Sequence, residues 1–474
     1  MQIELSLLSP QLFLLLWAIL VFVVDFFTAE RNKASLAYLS IIGLVLTAII
    51  SISSKQGETF GGSFRADTFG LSFNIIFLGS AILTVASAVD YVKAHLKHQG
   101  EFYGLILLST VGMMFLSASG DLLTLYVSLE LATISLFVLA AYMKSDLKST
   151  EAGLKYLILG AASSAILLYG ISLLYGISGT LVLDAIALKL SQMPTVGPLF
   201  ILSIVMIIAG LSFKLAAVPF HMWCPDVYEG APTPVTAYLS VASKAAGLAA
   251  LIRIFFKSLA STSMQWVPLL MAISAMAMIL GNVVAVRQHN IKRLLAYSSI
   301  AQIGYILVGF IAVSELAVTS IILYVLAYMF ANIGAFMVVI AFYNVSGSDD
   351  IMAYAGLSKR SPFLAISMVV FLLSLVGIPP MAGFIGKFYL FSAAIEKGYY
   401  WIVVLGVLTS VISLYYYMSI AYQMYFKTGD DDSPVRVSPT MAVALVVALA
   451  GTLLIGVYTQ PVLSAISGAS SAFF

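Results

Sequence analysis

The sequence predicts an all-α polytopic membrane protein of about 14 transmembrane helices, with two inverted five-helix repeats and two broken helices. Three observations carry that reading. The composition is too apolar for water, runs of membrane-spanning length recur along the chain, and two of those runs hold both a lysine and helix-breaking prolines.

Of 474 residues, 61% are hydrophobic and only 9% charged, with a mean hydropathy of +1.05, which excludes a soluble fold. Runs of about 20 apolar residues, each long enough to cross a hydrocarbon core of roughly 30 Å as a helix, recur from Pro10 to Tyr458. The expected spans are 10–28, 35–54, 68–89, 102–118, 121–142, 152–177, 197–219, 232–257, 266–285, 293–313, 316–344, 362–395, 400–425 and 437–458. The first carries Asp25, exceeds the length of a signal-peptide core and lacks a small-x-small cleavage site, so it is expected to be retained.

With the N-terminus outside, Arg31, Lys33, Lys93, Lys97, Lys144, Lys148, Arg287, Lys292, Arg293, Lys359, Arg360, Lys427 and Arg436 fall on the cytoplasmic side. Only Lys55, Arg65, Lys189, Lys257 and Lys397 lie clearly opposite, so the positive-inside rule places both termini outside. Cys224 is the only cysteine and there are four histidines, too few for an iron–sulfur cluster or a cysteine-based metal site in this chain alone. No Gly-rich nucleotide fingerprint stands in a strand–turn–helix setting. Electron transfer, if the protein takes part in it, belongs to partners.

Four ionisable residues fall well inside spans: Glu130, Lys214, Lys244 and Lys387. A charge at the bilayer centre costs at least about 2.5–3.5 kcal/mol, so each needs a partner or a wet cavity. A structural ion pair would account for Glu130 and one lysine, but three lysines exceed what one glutamate neutralises. Burial disfavours the ammonium form of a lysine and a nearby carboxylate restores it. A lysine moved towards or away from Glu130 would therefore load or release a proton. Working against roughly 180 mV costs about 4 kcal/mol per charge, equivalent to about three pH units, which burial and pairing can supply.

The seventh span reads FKLAAVPFHMW over Phe213–Trp223, with Pro219 after Lys214; the twelfth reads GIPPMAGFIGKF over Gly377–Phe388, with Pro379 and Pro380 before Lys387. Proline frees backbone carbonyls, which a membrane tolerates only inside protein or beside water. Matching interrupted segments point to inverted repeats around a midplane ion site. The two lysines lie 173 residues apart, and that offset gives repeat units of 100–257 and 266–426, flanked by 1–99 and 437–474. It sets Glu130 against Gln302 and Lys244 against Tyr417, so the second half reads as a polar, neutral counterpart. Tyr305, Tyr324, Tyr328 and Asn332 are candidate water supports there, packing being the commoner role of an aromatic.

The segment FKLAAVPFHMWCPDVYEGAPTPV over 213–235 with Ala242-Ser243-Lys244, NIKRLLAYSSIAQIGY over 290–305, and GIPPMAGFIGKF together resemble the subunit N family of NADH:quinone oxidoreductase, complex I. The likeness runs from about residue 100 to 430. It implies fourteen transmembrane helices, a proton-translocating subunit of that enzyme, no redox chemistry and no cofactor in this chain, with flavin, iron–sulfur clusters and quinone in partner subunits. It also implies other membrane-arm subunits on both sides of it in a bacterial cytoplasmic membrane, no nucleic acid, and no long C-terminal lateral helix. By motif position Glu130 is the ion-pair glutamate, Lys214 its partner, Lys244 the connecting lysine and Lys387 the exit-side lysine. Gln302 departs from the family pattern, standing where many relatives carry histidine; it can hold water but cannot titrate. His221, with an ordinary pKa near 6.5, is a candidate for passing protons from the cytoplasm or for bonding the loop backbone. Asp226 and Glu229 are expected to shape that entrance. The competing reading is a subunit of a multisubunit sodium/proton antiporter, which the PDVYEGAPTPV loop disfavours.

Overall fold

The computed structural model describes residues 4–193, 197–429 and 433–474. Residues 1–3 and 194–196, which belong to the units expected over 1–99 and 100–257, lie outside the described residues. The helices are α1 (Ser9–Phe27), α2 (Ser35–Ser53), α3 (Thr68–His95), α4 (Gln99–Ser117), α5 (Leu122–Ala140), α6 (Leu147–Ser178), α7 (Leu183–Ser191), α8 (Pro198–Leu215), α9 (Trp223–Gly230), α10 (Thr233–Tyr238) and α11 (Lys244–Lys257). They continue as α12 (Ser263–Ala285), α13 (Ile291–Phe310), α14 (Glu315–Ser346), α15 (Leu357–Arg360), α16 (Pro362–Val376), α17 (Ala382–Glu396), α18 (Tyr400–Phe426), α19 (Pro439–Val457) and α20 (Gln460–Ile466). Among the described residues, thirteen helices are long and apolar enough to cross a membrane, and α16 with α17 supplies a fourteenth crossing in two short pieces. A small hairpin of β1 (Gly57–Thr59) and β2 (Phe64–Ala66) joins α2 to α3.

Helix ends are set by side chains that meet the unpaired N–H groups at each start. Asp67 accepts from Gly70 N at 2.7 Å to open α3, Asp121 from Thr124 N at 2.7 Å to open α5, and Asn290 from the backbone of Lys292 and Arg293 at 2.9 and 3.1 Å to open α13. The segment from α10 to α11 is enclosed by protein up to Phe256, and a π-helical turn over Leu239–Ser243 interrupts it directly before Lys244. π-turns inside helices recur at functional sites because they rotate the following residues onto a new face.

The two halves share local architecture. α6 and α14 are both 32 residues long and end on left-handed glycines, Gly179 and Gly347. An antiparallel bridge joins Asp121 to Val182 in the first half and Asn290 to Asp350 in the second. These pairs recur at intervals of 168 or 169 residues, not the 173 that the two lysines suggested. The reason is that Lys214 precedes the interruption in its helix whereas Lys387 follows it, so the lysines are not strict counterparts. On the structural interval Glu130 corresponds to Ser299 and Thr133 to Gln302, which corrects the pairing of Glu130 with Gln302.

The most deeply buried charge among the described residues was absent from the sequence-based set. Arg253, on the last turns of α11, is 1% exposed and donates to both carboxylate oxygens of Asp67 at 2.6 and 2.7 Å and to Ser117 O at 2.8 Å. Phe69 covers its guanidinium at 4.6 Å and Phe473 at 5.7 Å, so the C-terminal turn packs onto the same clamp. The bidentate pair ties α11, the helix that starts at Lys244, to the start of α3. Removing one partner of such a pair costs about 3 kcal/mol, at the low end here because Asp67 stays 24% exposed. Arg253→Met is therefore expected to lower the unfolding temperature of the purified protein, and Asp67→Asn in that background to add little. Additive losses in this double-mutant cycle would show that the pair is not energetically linked.

Candidate functional site

α8 stops at Leu215 because Ala216 takes a left-handed conformation (φ 56°) and Pro219 lacks a donor, and α16 stops at Val376 where Gly377 is left-handed (φ 92°) and Pro379 and Pro380 follow. Both prolines at the second position of their dipeptides, Pro219 and Pro380, follow cis bonds. The expected interruptions are thus present, and Lys214 and Lys387 are turned inward, 3% and 5% exposed. Lys244 is buried as deeply.

Each lysine meets a hydroxyl from a neighbouring helix. Lys214 Nζ donates to Thr133 Oγ1 at 2.6 Å, Lys244 Nζ to Ser299 Oγ at 2.7 Å and Lys387 Nζ to Ser410 Oγ at 3.1 Å. Lys387 also donates to the carbonyls of Val376 (2.8 Å) and Leu375 (3.2 Å), and its ammonium lies 4.2 Å from the centre of the Tyr305 ring. The carbonyls freed by the break in α16 are thereby satisfied. At the other break Trp223 Nε1 takes the carbonyl of Phe213 at 2.9 Å, leaving Lys214 to face Thr133.

Glu130 is half-buried on α5 and accepts a hydrogen bond from Ser164 of α6. Its place is one turn from Thr133, the residue Lys214 contacts, but its own hydroxyl partner is Ser164; among the described residues Glu130 and Lys214 make no ion pair. Lys214 packs against α11: a side chain at Gly247 would begin 3.3 Å from Lys214 Cγ, and Gly247 is one turn beyond Lys244.

Gln302 is buried one turn from Ser299 on α13. Its Nε2 donates to Leu375 O at 3.0 Å, the carbonyl that Lys387 also uses, and to Tyr417 OH at 3.4 Å, while Tyr324 OH donates to its Oε1. Tyr305 OH accepts from Asn282 Nδ2 at 2.9 Å, and Tyr416 OH donates to Asn282 Oδ1 at 3.1 Å. Sequence reasoning had marked Tyr305, Tyr324 and Gln302 but missed Thr133, Ser299 and Ser410. Small hydroxyl residues in apolar helices carry no pattern of their own, and Thr133 and Ser299 become visible only as counterparts near Glu130 and Gln302.

His221 sits half-buried in the bend between α8 and α9, its Nδ1 buried without a hydrogen-bond partner, and none of the lysine contacts involves it. Beside it Asp226 and Glu229 of α9 anchor an ion cluster: Arg293 bridges both at 2.9 Å, Lys155 meets Asp226 at 2.6 Å and Lys148 meets Glu229 at 2.9 Å. The cluster borders a polar cavity of about 430 Å³ that Lys292 and Asp349, paired at 3.0 Å, line on its far side. Among the described residues no group of histidine, cysteine and carboxylate ligands converges as a metal site.

The family model described as NADH:quinone oxidoreductase/Mrp antiporter, TM, matches residues 119–413. The chain is 48% identical over 448 residues to NADH-quinone oxidoreductase subunit N of Moorella thermoacetica, covering 94% of each chain. It is 41% identical over 475 residues to the subunit N of Desulforamulus reducens, covering 100% of this chain and 99% of that one. A chain in the structure of respiratory complex I from Thermus thermophilus with bound aureothin is similar over 97% of this chain and 100% of its own, with a TM-score of 0.83 and 31% identity. A chain of the Mrp complex from Dietzia shares the fold at a TM-score of 0.84 and 22% identity, covering 99% of this chain and 98% of that one.

The ion cluster has a pH signature. Burial pushes the carboxyls of Asp226 and Glu229 up, but hydrogen bonds from Lys155 and Arg293 to the first, and from Lys148 and Arg293 to the second, outweigh it and hold both below the usual carboxylate range. Their contribution to stability is complete above that range, near pH 4–5, and is lost as the pH falls through their lowered values. Thermal unfolding of the purified protein between pH 7 and 3 should separate wild type from Arg293→Ala at neutral pH and bring the two curves together at the acid end. Parallel curves across the range would exclude the cluster as their cause.

Proposed function

This chain belongs to the subunit N branch of the NADH:quinone oxidoreductase/Mrp antiporter membrane family, and from that premise we propose that it is the proton-translocating, non-redox subunit of a complex I membrane arm whose protons pass along Glu130, Lys214, Lys244 and Lys387. The observation that carries the assignment is a succession of side-chain contacts and single helix turns that leads from one to the next. Thr133 joins the Glu130 helix to Lys214, the stem of Lys214 lies against Gly247 one turn from Lys244, Ser299 joins Lys244 to α13, and Gln302 on that helix shares the Leu375 carbonyl with Lys387.

Coulomb coupling falls with distance and dielectric, so lysines one helix apart in a dry interior influence one another where distant sites could not. A proton gained at one lysine raises the cost of charge at the next, and the file transmits the change sideways through the membrane. Neighbouring membrane subunits at either end would continue the file, which explains how a chain without redox groups responds to electron transfer elsewhere. Flavin, iron–sulfur clusters and quinone belong to partner subunits on this reading. The matched interruptions support inverted repeats over about 100–257 and 266–426, and the polar cavity bordered by the Glu229 end of the ion cluster, with His221 in the bend that leads into α9, suits proton uptake on the cytoplasmic side, with both termini outside.

A positioned proton-transfer group is worth roughly 10²–10⁴-fold in rate. Lys244→Met in the assembled complex should therefore abolish measurable translocation through this subunit, read as protons moved per electron in proteoliposomes alongside turnover. Glu130→Gln should weaken it by removing the carboxylate that favours charge on Lys214. Unchanged pumping at unchanged turnover in Lys244→Met would remove Lys244 from the path. Gln302→Leu, which keeps every titratable group of the file but strips the hydrogen bonds to Leu375 O, Tyr417 and Tyr324, should slow translocation while Gln302→His preserves it; equal rates in wild type and Gln302→Leu would exclude Gln302 from the link.

A further inference from the structure

One roomy cavity among the described residues has no part in the proposed file. It measures about 730 Å³ and lies where the turn from α3 to α4 meets the turn from α5 to α6, on the side that the positive-inside count assigns to the cytoplasm. Its floor is apolar. Ile134 and Val138 of α5 and Leu154 and Leu157 of α6 line it, and all four are 47–57% exposed, so the groove opens sideways towards the hydrocarbon. Along α5 it extends from Ala141 down to Ile134, about 10 Å at the helical rise.

Its rim is basic. Lys97 comes from the first turn and Lys144 from the second, with His95 and His98 beside them. Glu101 is the acidic group among the lining residues, and it faces His98 at 3.7 Å. Among the described residues neither lysine has a carboxylate partner, in contrast to Lys148 and Lys155 nearby, which are both paired. The two turns are fastened together, since Tyr142 OH donates to the carbonyl of His98 and so fixes the approach of one basic turn to the other.

We propose that this groove binds one anionic glycerophospholipid of the cytoplasmic leaflet, its phosphate between Lys97 and Lys144 and its acyl chains against Ile134, Val138, Leu154 and Leu157. The chemistry is matched at both levels. Two uncompensated ammonium groups at the membrane surface recognise a phosphodiester of net negative charge, and an apolar trough below them accepts alkyl chains that would otherwise lie loose in the bilayer. A zwitterionic lipid would bring a second cation to an already basic rim. A transmembrane helix of a neighbouring subunit would cover the trough but leave both lysines without a counter-charge. The site adjoins the proposed file, because Ile134 stands one turn from Glu130 on the same face of α5, so a bound acyl chain would shield that carboxylate's flank from the bilayer.

The test uses the intact complex in proteoliposomes that contain phosphatidylglycerol or phosphatidylcholine carrying a photoreactive acyl chain, with adducts mapped by mass spectrometry. Wild type should be labelled within residues 134–157 by the phosphatidylglycerol probe, and labelling there should fall roughly tenfold with the phosphatidylcholine probe and in the Lys97→Gln/Lys144→Gln variant. Those two substitutions lie on the exposed rim, and unchanged electron-transfer turnover verifies assembly. Equal labelling by both probes would overturn the proposal in favour of ordinary annular lipid. Absence of labelling in this segment, with adducts on a neighbouring subunit instead, would overturn it in favour of a protein contact. Neither result bears on Lys244, so the proton file stands or falls separately.

Discussion

In hydrocarbon a backbone carbonyl released from its helix has no water to turn to, and each one left unpaired costs several kcal/mol. α16 ends at Val376 because Gly377, Pro379 and Pro380 cannot continue it, so its last carbonyls point into the protein interior. Lys387, on the next helical piece, returns its ammonium to the carbonyls of Leu375 and Val376, where the negative end of the helix dipole also favours a cation. The break and the lysine are therefore one arrangement. A break without the lysine would leave bare carbonyls, and a lysine without the break would leave a bare charge. Gln302 enters the same arrangement from α13 through its bond to Leu375 O, which fixes the register of the central helices around this point.

The first interruption solves the same problem with different atoms. There Trp223, at the start of α9, folds its indole N–H back to the carbonyl of Phe213 and stacks on Tyr156 at 4.5 Å. Because an uncharged donor satisfies that backbone, Lys214 is released to face α5, where Thr133 and Glu130 lie one turn apart. A similar pair of broken helices thus yields two unlike sites: one lysine held by backbone and one held by side chains near a carboxylate. The asymmetry would give the proposed file a direction, since its two ends bind charge through different partners.

What the sequence revealed divides along the same physical line. Local signals were legible: apolar runs gave the crossings, prolines gave the breaks, and the rarity of charge in such runs singled out Glu130, Lys214, Lys244 and Lys387. Long-range pairing was not. Arg253 stands near the end of its span, where an arginine ordinarily reaches for the interface, and nothing nearby in sequence announces that Asp67, 186 residues away, encloses it. The interval between the halves was misread for a related reason. The most conspicuous residues, Lys214 and Lys387, flank their breaks on opposite sides and so do not measure it, and the interval is carried by inconspicuous features such as the terminal glycines of α6 and α14. Thr133 and Ser299, which that interval sets against Gln302 and Glu130, are the residues that hold Lys214 and Lys244.

On the proposed function, those hydroxyls would let the lysines exchange protons without the protein rearranging around each transfer. An ammonium offers three donors, while a neutral amine offers two donors and one lone pair. Lys387 meets two carbonyls, which only accept, and one hydroxyl, Ser410, which can do either. With the proton present all three bonds run outward from nitrogen; with it gone, the carbonyl bonds persist and the serine hydroxyl turns to donate. At Lys214 and Lys244 the hydroxyl has a second place for its proton: Thr133 Oγ1 lies 2.6 Å from Leu129 O, and Ser299 Oγ 2.8 Å from Ala296 O. While the lysine is charged the hydroxyl donates to its own helix, and when the lysine is neutral a rotation about one bond redirects it. No heavy atom need move in either case, so the energetic difference between the two states lies in the charge itself. Movement of a neighbouring charge can then decide which state is occupied.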